Sequence, residues 1–365
     1  MGKYKLSIII PVFNGEATIE YTIASVMNQM KSYYEIILVD DGSTDNSSVI
    51  CDQVGEENNN VQVIHQKNAG SLEARLSGVK VAKGDYIVYL DADDVILSNG
   101  LENIEKYIEK YHADIYIYDY LMDKIGGKET SVKRLLDYND IKSWNLLNKK
   151  EIMNYFYEGK LNNIATTVVS RKILSNLRSI KCEGKIRIGE DRLQLLYTLL
   201  DSDVVMYIPE CFYHYKWRNN SQGGAVRSGM AAPSMYDDFK IVWKHERNSY
   251  SIAGFAKEEY AKYDCQKLSR IASLVEGIYV SNSQLTRKEK KSFVCKLSTD
   301  TLFQKLATQD NVLNLRLYIK IIIILVKKQR ALFLETYLKG CRLIKGLKVY
   351  IRNQYSNLIR KLKCR

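Results

Sequence analysis

The pattern that most constrains this chain is a hydrophobic period that switches, within 120 residues, between the two of a strand and the 3.6 of a helix. Leu6 to Val12 is a β-branched run ended by Pro11 and the turn-forming Asn14-Gly15, and residues 16–31 then carry Ile19, Ile23, Val26, Met27 and Met30 at helical spacing. Glu35 to Val39 reads as a second buried strand, stopped by Asp40-Asp41-Gly42-Ser43-Thr44-Asp45, where Ser43 or Thr44 is placed to cap the next helix. Val61 to His65 is a third strand, Ser71 to Ala82 a third helix, and Asp85 to Leu90 a fourth strand running into Asp91-Ala92-Asp93-Asp94. Strands and helices alternating with short connections imply an α/β fold with a mostly parallel sheet and helices on both faces. Ligands of such sheets sit beyond the C-terminal ends of the strands.

Asp114 to Tyr120 continues the sheet, alternating Ile and Tyr, and beyond it residues 121–160 turn polar and Lys-rich. Ile164 to Val169 reads as a strand, Asp191 to Leu200 as a helix, and Val204 to Ile208 and Glu210 to Trp217 as two strands separated by Pro209. From 233 onward the periodicity is helical. The expected organisation is therefore a domain over residues 1–232, with halves at about 1–120 and 121–232, then a helical region over 233–310 and a tail over 311–365.

A composition of 46% hydrophobic and 26% charged residues is globular. The longest wholly apolar run, Ile321 to Val326, is far below the roughly 20 residues of a spanning helix. Too few apolar residues precede Pro11 for a secretory signal, so the expected location is cytoplasmic. Seven scattered cysteines, with no Cys-x-x-Cys pair, read as free thiols. The net charge of +12 would suggest a nucleic-acid partner were it not so unevenly placed. Residues 311–365 hold 14 Lys and Arg against the single acid Glu335, which leaves residues 1–310 at about −1. No base-reading motif accompanies the charge, so nucleic acid is not an expected partner.

Acids gather where strands end: Asp40 and Asp41 after the second, Asp91, Asp93 and Asp94 after the fourth. Carboxylates crowded on one sheet edge raise one another's pKa unless a cation or ligand lies between them. Oxygen donors suit Mg²⁺ or Mn²⁺. Neither a Walker phosphate loop nor Gly-x-Gly-x-x-Gly follows a strand, so metal and side chains would have to hold any phosphate.

Ile8-Ile-Ile-Pro-Val-Phe-Asn14, Val39-Asp-Asp-Gly-Ser-Thr-Asp45, Asn68-Ala-Gly70 with Ala74-Arg75, Gly84-Asp-Tyr-Ile-Val-Tyr-Leu-Asp-Ala-Asp-Asp94 and Gly189-Glu-Asp191 follow one another in the order found in family 2 glycosyltransferases. The resemblance spans residues 6 to about 220. It implies the GT-A fold, a Rossmann-like α/β architecture here followed by a helical C-terminal region, and an inverting enzyme using a nucleotide-diphosphate sugar, with a uridine-diphosphate sugar the expected donor. It gives Pro11, Phe13 and Asp40 to the base and ribose pocket with Asp41 beside it, and sets Arg75 near the nucleotide. Asp91 is implied at the ribose and Asp93 on the metal that holds the diphosphate. Asp191 is implied as catalytic base, Glu190 in the acceptor or metal region, and His214 and Arg218 near the leaving diphosphate or acceptor. Leu76 stands where the family usually has Asn, and Glu73 where it has a small residue.

The chemistry fits these roles, because a departing diphosphate needs countercharge and the acceptor hydroxyl needs a base on the opposite face. Tyr213, Tyr215 and Trp217, around His214, suit either a core or a sugar-stacking surface. From Leu338 to Leu362 apolar residues recur at intervals of three and four with Lys and Arg on other faces, the pattern of a basic amphipathic helix. Such a tail implies an anionic membrane surface as partner, peripheral on the inner face of the cell membrane, or packing on the body. The acceptor expected is a glycan or lipid-linked saccharide of a capsule or exopolysaccharide type, and a homo-oligomer stays open. The alternatives are a sugar nucleotidyltransferase, which would carry a Gly-rich basic loop after the first strand, and a non-catalytic sugar-nucleotide-binding membrane adaptor.

Overall fold

The computed structural model describes residues 4–124, 129–136, 146–174, 186–216, 231–280 and 284–342. Arg218 and Trp217 lie outside the described residues, as does most of the C-terminal stripe. The chain divides into two compact units, one of residues up to 223 together with 238–256, the other of residues 224–237 together with 257 onward.

The first unit is built on one ten-stranded sheet. Its long strands are β1 (Tyr4–Val12), β2 (Tyr34–Asp40), β3 (Val61–His65), β4 (Gly84–Tyr89), β6 (Ile115–Asp123) and β10 (Val205–Tyr215); the short ones are β5 (Val95–Ile96), β7 (Thr130–Lys133), β8 (Leu146–Leu147) and β9 (Thr167–Ser170). The order is β3-β2-β1-β4-β9-β6-β10-β5, with β7 paired to β6 and β8 to β10. β1 to β4 pair in parallel, as do β6 and β10, while β5, β7, β8 and β9 run antiparallel to their neighbours. The sheet is thus mostly parallel along its long strands and mixed along its short ones.

Burial explains the strand sequences. All seven residues of β2 are buried, as they are when helices cover both faces. Helices α1 (Ile19–Met27), α2 (Ser47–Glu57) and α3 (Ser71–Val81) make the crossovers, with α3 packed across β1 and β2. α4 (Gly100–Tyr111), α5 (Lys149–Tyr157) and α6 (Glu190–Leu200) complete the helices before β10. Ile8, Ile10, Ile36, Leu38, Val88 and Tyr118 belong to the core they enclose.

Three local expectations are corrected. Pro209 does not separate two strands: β10 is continuous, and its register against β6 shifts between Ile208 and Tyr213. A bulge accommodates a proline that a regular ladder would not. Ile164–Thr166 is a turn of 3₁₀ helix preceding β9, because the Asn163 side chain accepts from the Ala165 N–H. Ser43 and Thr44 do not cap α2. The Ser43 hydroxyl accepts from the Asn14 N–H, the Thr44 N–H donates to Asn14 Oδ1, and Asp45 accepts from the Ser47 N–H instead.

The second unit is helical. α7 (Ser234–Ser249) ends in the first unit; α8 (Tyr260–Val280) buries Leu268, Ile271, Val275 and Ile278, and α12 (Leu317–Lys327) packs on it with Ile322, Ile323 and Val326 fully enclosed. Between them lie α9 (Arg287–Thr299), which opens on a Thr286 and Glu289 capping box, α10 (Thr301–Leu306) and α11 (Gln309–Leu313). A last helix runs from 331 through 342 and buries Leu334 and Leu338. Residues 311–342, counted with the tail on charge, therefore belong to the packed helices of this unit.

Candidate active site

The acid loop after β4 is held by side chains from three directions. Thr18 donates to the Ala92 carbonyl at 2.7 Å, and the Thr22 hydroxyl lies 2.9 Å from the carbonyls of both Ala92 and Asp94. Asp94 is fully buried, accepting from the Tyr213 hydroxyl and, at 2.8 Å, from the Lys216 N–H. Burial, then the charges of Asp93 and Asp91, hold the Asp94 carboxyl well above the usual range. Asp94 is therefore an anchor of the loop that also carries Asp91 and Asp93. Tyr213 is fully buried, which makes it core rather than a sugar-stacking surface.

Arg75 joins this loop to α6. Its Nη2 donates to Asp91 Oδ1 at 2.8 Å and its Nη1 to Asp191 Oδ1. The guanidinium side chain is 2% exposed while Asp91 and Asp191 keep 27% and 26% of theirs, so the cation lies behind two carboxylates that face outward. Burial opposes the Arg75 charge, but Asp191 and Asp91 more than offset it and hold the group protonated. Its Nε is buried with no hydrogen-bond partner among the described residues.

Gly189 makes the start of α6 possible. Its φ of +93° is a left-handed turn that a side chain would strain, and it brings Glu190 and Asp191 into the first turn of the helix. Ser71 donates to Glu190 Oε1 at 3.1 Å. Burial, with the adjacent charge of Asp191, pushes Glu190 up to about 7. Asp191 is also raised by burial, with Arg75 working to lower it. The next residue fixes the helix from the other side: Arg192, nearly buried, pairs with the buried Glu246 and donates to the Leu161 carbonyl and to Asn162 Oδ1.

At the end of β2, Asp40 is 4% exposed and accepts from the Ser43 N–H at 3.0 Å and from His65 Nδ1 at 3.0 Å. Asp41 accepts from Gln66 Nε2 and from the Ala69 and Gly70 N–H groups, each at 2.8 Å, and so fastens the loop between β3 and α3. Pro11 pairs with Val39, and Phe13, just past β1, is 47% exposed. An aromatic face left open beside a strand end suits stacking on a flat base. His214 lies 2.7 Å from Asp123 Oδ1, which also accepts from Thr130. Pro11, Phe13, Asp40, Arg75, Asp91, Asp93, Glu190 and Asp191 thus come from strand ends and helix starts of one unit.

Among the described residues no three His, Cys, Asp or Glu side chains converge as a metal cage. The acid loop nevertheless offers oxygen donors of the kind Mg²⁺ and Mn²⁺ prefer, and such cations need only one or two protein carboxylates when substrate phosphates and water complete the shell. Asp93 fits that role. The sequence did not reveal His65, Asp52, Ser71, Thr18 and Thr22 as parts of this region. The hydroxyls carry no local signal, and His65 has meaning only once β3 lies beside β2.

The sequence model of glycosyl transferase family 2 matches residues 7–178. Glycosyltransferase GlyG of Streptococcus pneumoniae is 38% identical over 116 residues, 32% of this chain and 38% of that protein's length. The uncharacterized glycosyltransferase EpsJ of Bacillus subtilis is 27% identical over 267 residues, 72% of this chain and 75% of its own. The crystal structure of S. aureus TarS 1-349 in complex with UDP-GlcNAc superposes with a TM-score of 0.64 at 17% identity, covering 93% of this chain and 92% of that one, which shows a shared fold. With the motifs in order and the acids gathered on one sheet edge, residues 7–178 match glycosyl transferase family 2, and the relatives similar to this chain are glycosyltransferases.

Proposed function

We propose that the chain transfers a sugar from a uridine-diphosphate sugar to a hydroxyl of a glycan or lipid-linked saccharide, with inversion at the anomeric carbon. The observation that carries this reading is the Arg75 bridge, which ties Asp91, at the nucleotide end, to Asp191, at the start of α6. A single displacement needs the diphosphate on one side of the sugar and a proton acceptor on the other. In this reading Asp40 and Phe13 hold the base, Asp91 the ribose, and Asp93 the divalent cation bound to the diphosphate. That cation, Mg²⁺ or Mn²⁺, would supply countercharge for the leaving group. TarS, which shares the fold, was crystallised with UDP-GlcNAc and with UDP, and this supports a nucleotide-sugar donor here.

Asp191 takes the proton of the acceptor hydroxyl. Arg75 favours its ionised form, while burial and then the Asp191 charge push the neighbouring Glu190 up to about 7. His214 and Arg218 belong in this reading near the leaving diphosphate or the acceptor, and the basic C-terminal residues on an anionic membrane face, where a lipid-linked acceptor would be. Among the described residues no helix is long and apolar enough to cross a membrane.

The test is release of nucleoside diphosphate from a panel of nucleotide sugars with Mn²⁺, comparing the natural chain with Asp191→Asn and Asp93→Asn. Asp191→Asn is expected to lose about 10² to 10⁴ in transfer rate with donor affinity nearly unchanged. Asp93→Asn is expected to lose the metal-dependent part of donor affinity. Near-normal turnover in Asp191→Asn would move the base to Glu190, and no release from any donor would sink the reading.

A further inference from the structure

His65 is placed between two acids that only accept. Its Nδ1 lies 3.0 Å from Asp40 Oδ2 and its Nε2 2.8 Å from Asp52 Oδ1. A neutral imidazole has one N–H and one lone pair, so at one of these contacts it would set a lone pair against a carboxylate. Both contacts are satisfied together only by the doubly protonated ring. Asp40 is 4% exposed, and its other oxygen already accepts from the Ser43 N–H, so the ring nitrogen decides how this carboxylate is oriented and whether its charge is compensated.

We propose that His65 is a positioning residue for the donor nucleotide: held as an imidazolium between Asp52 on α2 and Asp40 on β2, it fixes the Asp40 carboxylate at the base-binding end of the cleft. The proposal rests on the sugar-nucleotide reading above. Three neighbouring elements supply its chemistry, since β3 carries the ring, β2 the buried acid and α2 the outer acid. The hydrogen bonds to Asp40 and Asp52 raise the His65 pKa against the opposing effect of burial. Those two acids face the ring directly. Asp41 is turned to Gln66, Ala69 and Gly70, and the Cys51 thiol beside them is raised by burial and then by the charges of Asp40, Asp52 and Asp45, so it stays neutral. When the ring loses its second proton, either the Asp40 or the Asp52 bond must break. A ring released from Asp40 leaves a buried carboxylate with less countercharge and freer to turn.

The experiment is calorimetric titration of the full chain with UDP and Mn²⁺ between pH 6 and 9, beside nitrogen-15 spectra of the histidine rings. The wild-type chain is expected to bind UDP progressively more weakly as pH rises through the His65 titration. His65→Gln should bind about tenfold more weakly at pH 6 and show none of that pH dependence. Asp52→Asn, which leaves Asp40 and the ring in place, should retain the low-pH affinity and begin to weaken at a lower pH, because one of the two acids that stabilise the cation is gone. The spectra should show both ring nitrogens of His65 protonated at pH 7. UDP affinity equal in His65→Gln and wild type, a pH dependence that persists in His65→Gln, or a neutral ring at pH 7 would overturn the proposal. Absence of UDP binding by the wild-type chain at every pH would overturn both it and the sugar-nucleotide reading. A variant that merely loosens the fold would lower the melting temperature and leave the pH profile of wild-type shape.

Discussion

A single buried guanidinium compensates two acids 100 residues apart in sequence, and most of the site's energetics follow from that. Arg75→Met keeps the volume but leaves Asp91 and Asp191 facing each other without a cation. Breaking a buried pair by removing one partner typically costs about 3 to 5 kcal/mol, and the exposure of both acids puts this case toward the lower end. We expect a clear fall in melting temperature and a loss of turnover of at least 10²-fold; unchanged melting would mean the bridge is not formed in solution. Glu190→Gln tests the neighbouring pair. An acid whose folded pKa is raised from 4.5 to about 7 contributes stability below its unfolded value and loses it as pH rises through 7. Glu190→Gln should therefore gain melting temperature relative to wild type at pH 8 and not at pH 4. Because it also removes the charge beside Asp191, the rising limb of its kcat/KM profile should move to lower pH. Here the sequence was legible in part: acids at strand ends marked Asp40, Asp91 and Asp93, but no local pattern links residue 75 to residue 191. That Asp41 binds three groups of the loop before α3 was equally invisible, since two of the donors are backbone.

At the scale of elements, loop geometry sets what the strands deliver. Gly42 has a φ of +73°, and a Cβ there would lie 2.8 Å from the Asn68 N, a backbone atom that cannot move aside cheaply. Gly42→Ala is thus expected to cost about 1 to 3 kcal/mol and to weaken UDP binding, since it forces apart the two loops that Asp41 joins. A denaturation midpoint equal to wild type would count against this. Strands β1 to β4 and helices α1 to α3 were readable because period and length agreed with tertiary burial. Of the later elements β6 and α6 were readable as well, whereas α4, α5 and the undivided β10 were not. α4 follows Asn99 in a left-handed conformation with no side-chain cap, so its start carries none of the usual residue signals. β10 was divided at Pro209 because proline is a strand breaker in a regular ladder, and only its partner β6 makes the bulge evident.

Across the whole molecule, the basic C-terminal residues do not act as one block. Residues 317–342 bury Ile322, Ile323, Val326, Leu334 and Leu338, whereas residues 343–365 contain seven Lys and Arg and no acid. Charge alone could not reveal that residues 317–342 are packed, because basic side chains on a buried helix can keep their charged ends in water. A chain ending after Arg342 is expected to fold and to lose flotation with anionic liposomes, while the full chain floats and is weakened but not released by salt. Equal flotation of both would exclude these residues as the membrane contact. The strand order carries a different consequence. β9, made of residues 167–170, lies between β4 and β6, so the sheet that the first 120 residues begin stays open in its middle until a later segment fills it. On a ribosome, β4 and β6 would emerge with unpaired edges and wait for some fifty further residues, a period in which such edges can join those of other nascent chains. Folding of this chain should accordingly be slow and chaperone-sensitive, and a chain cut at residue 124 should aggregate rather than form a folded half on its own.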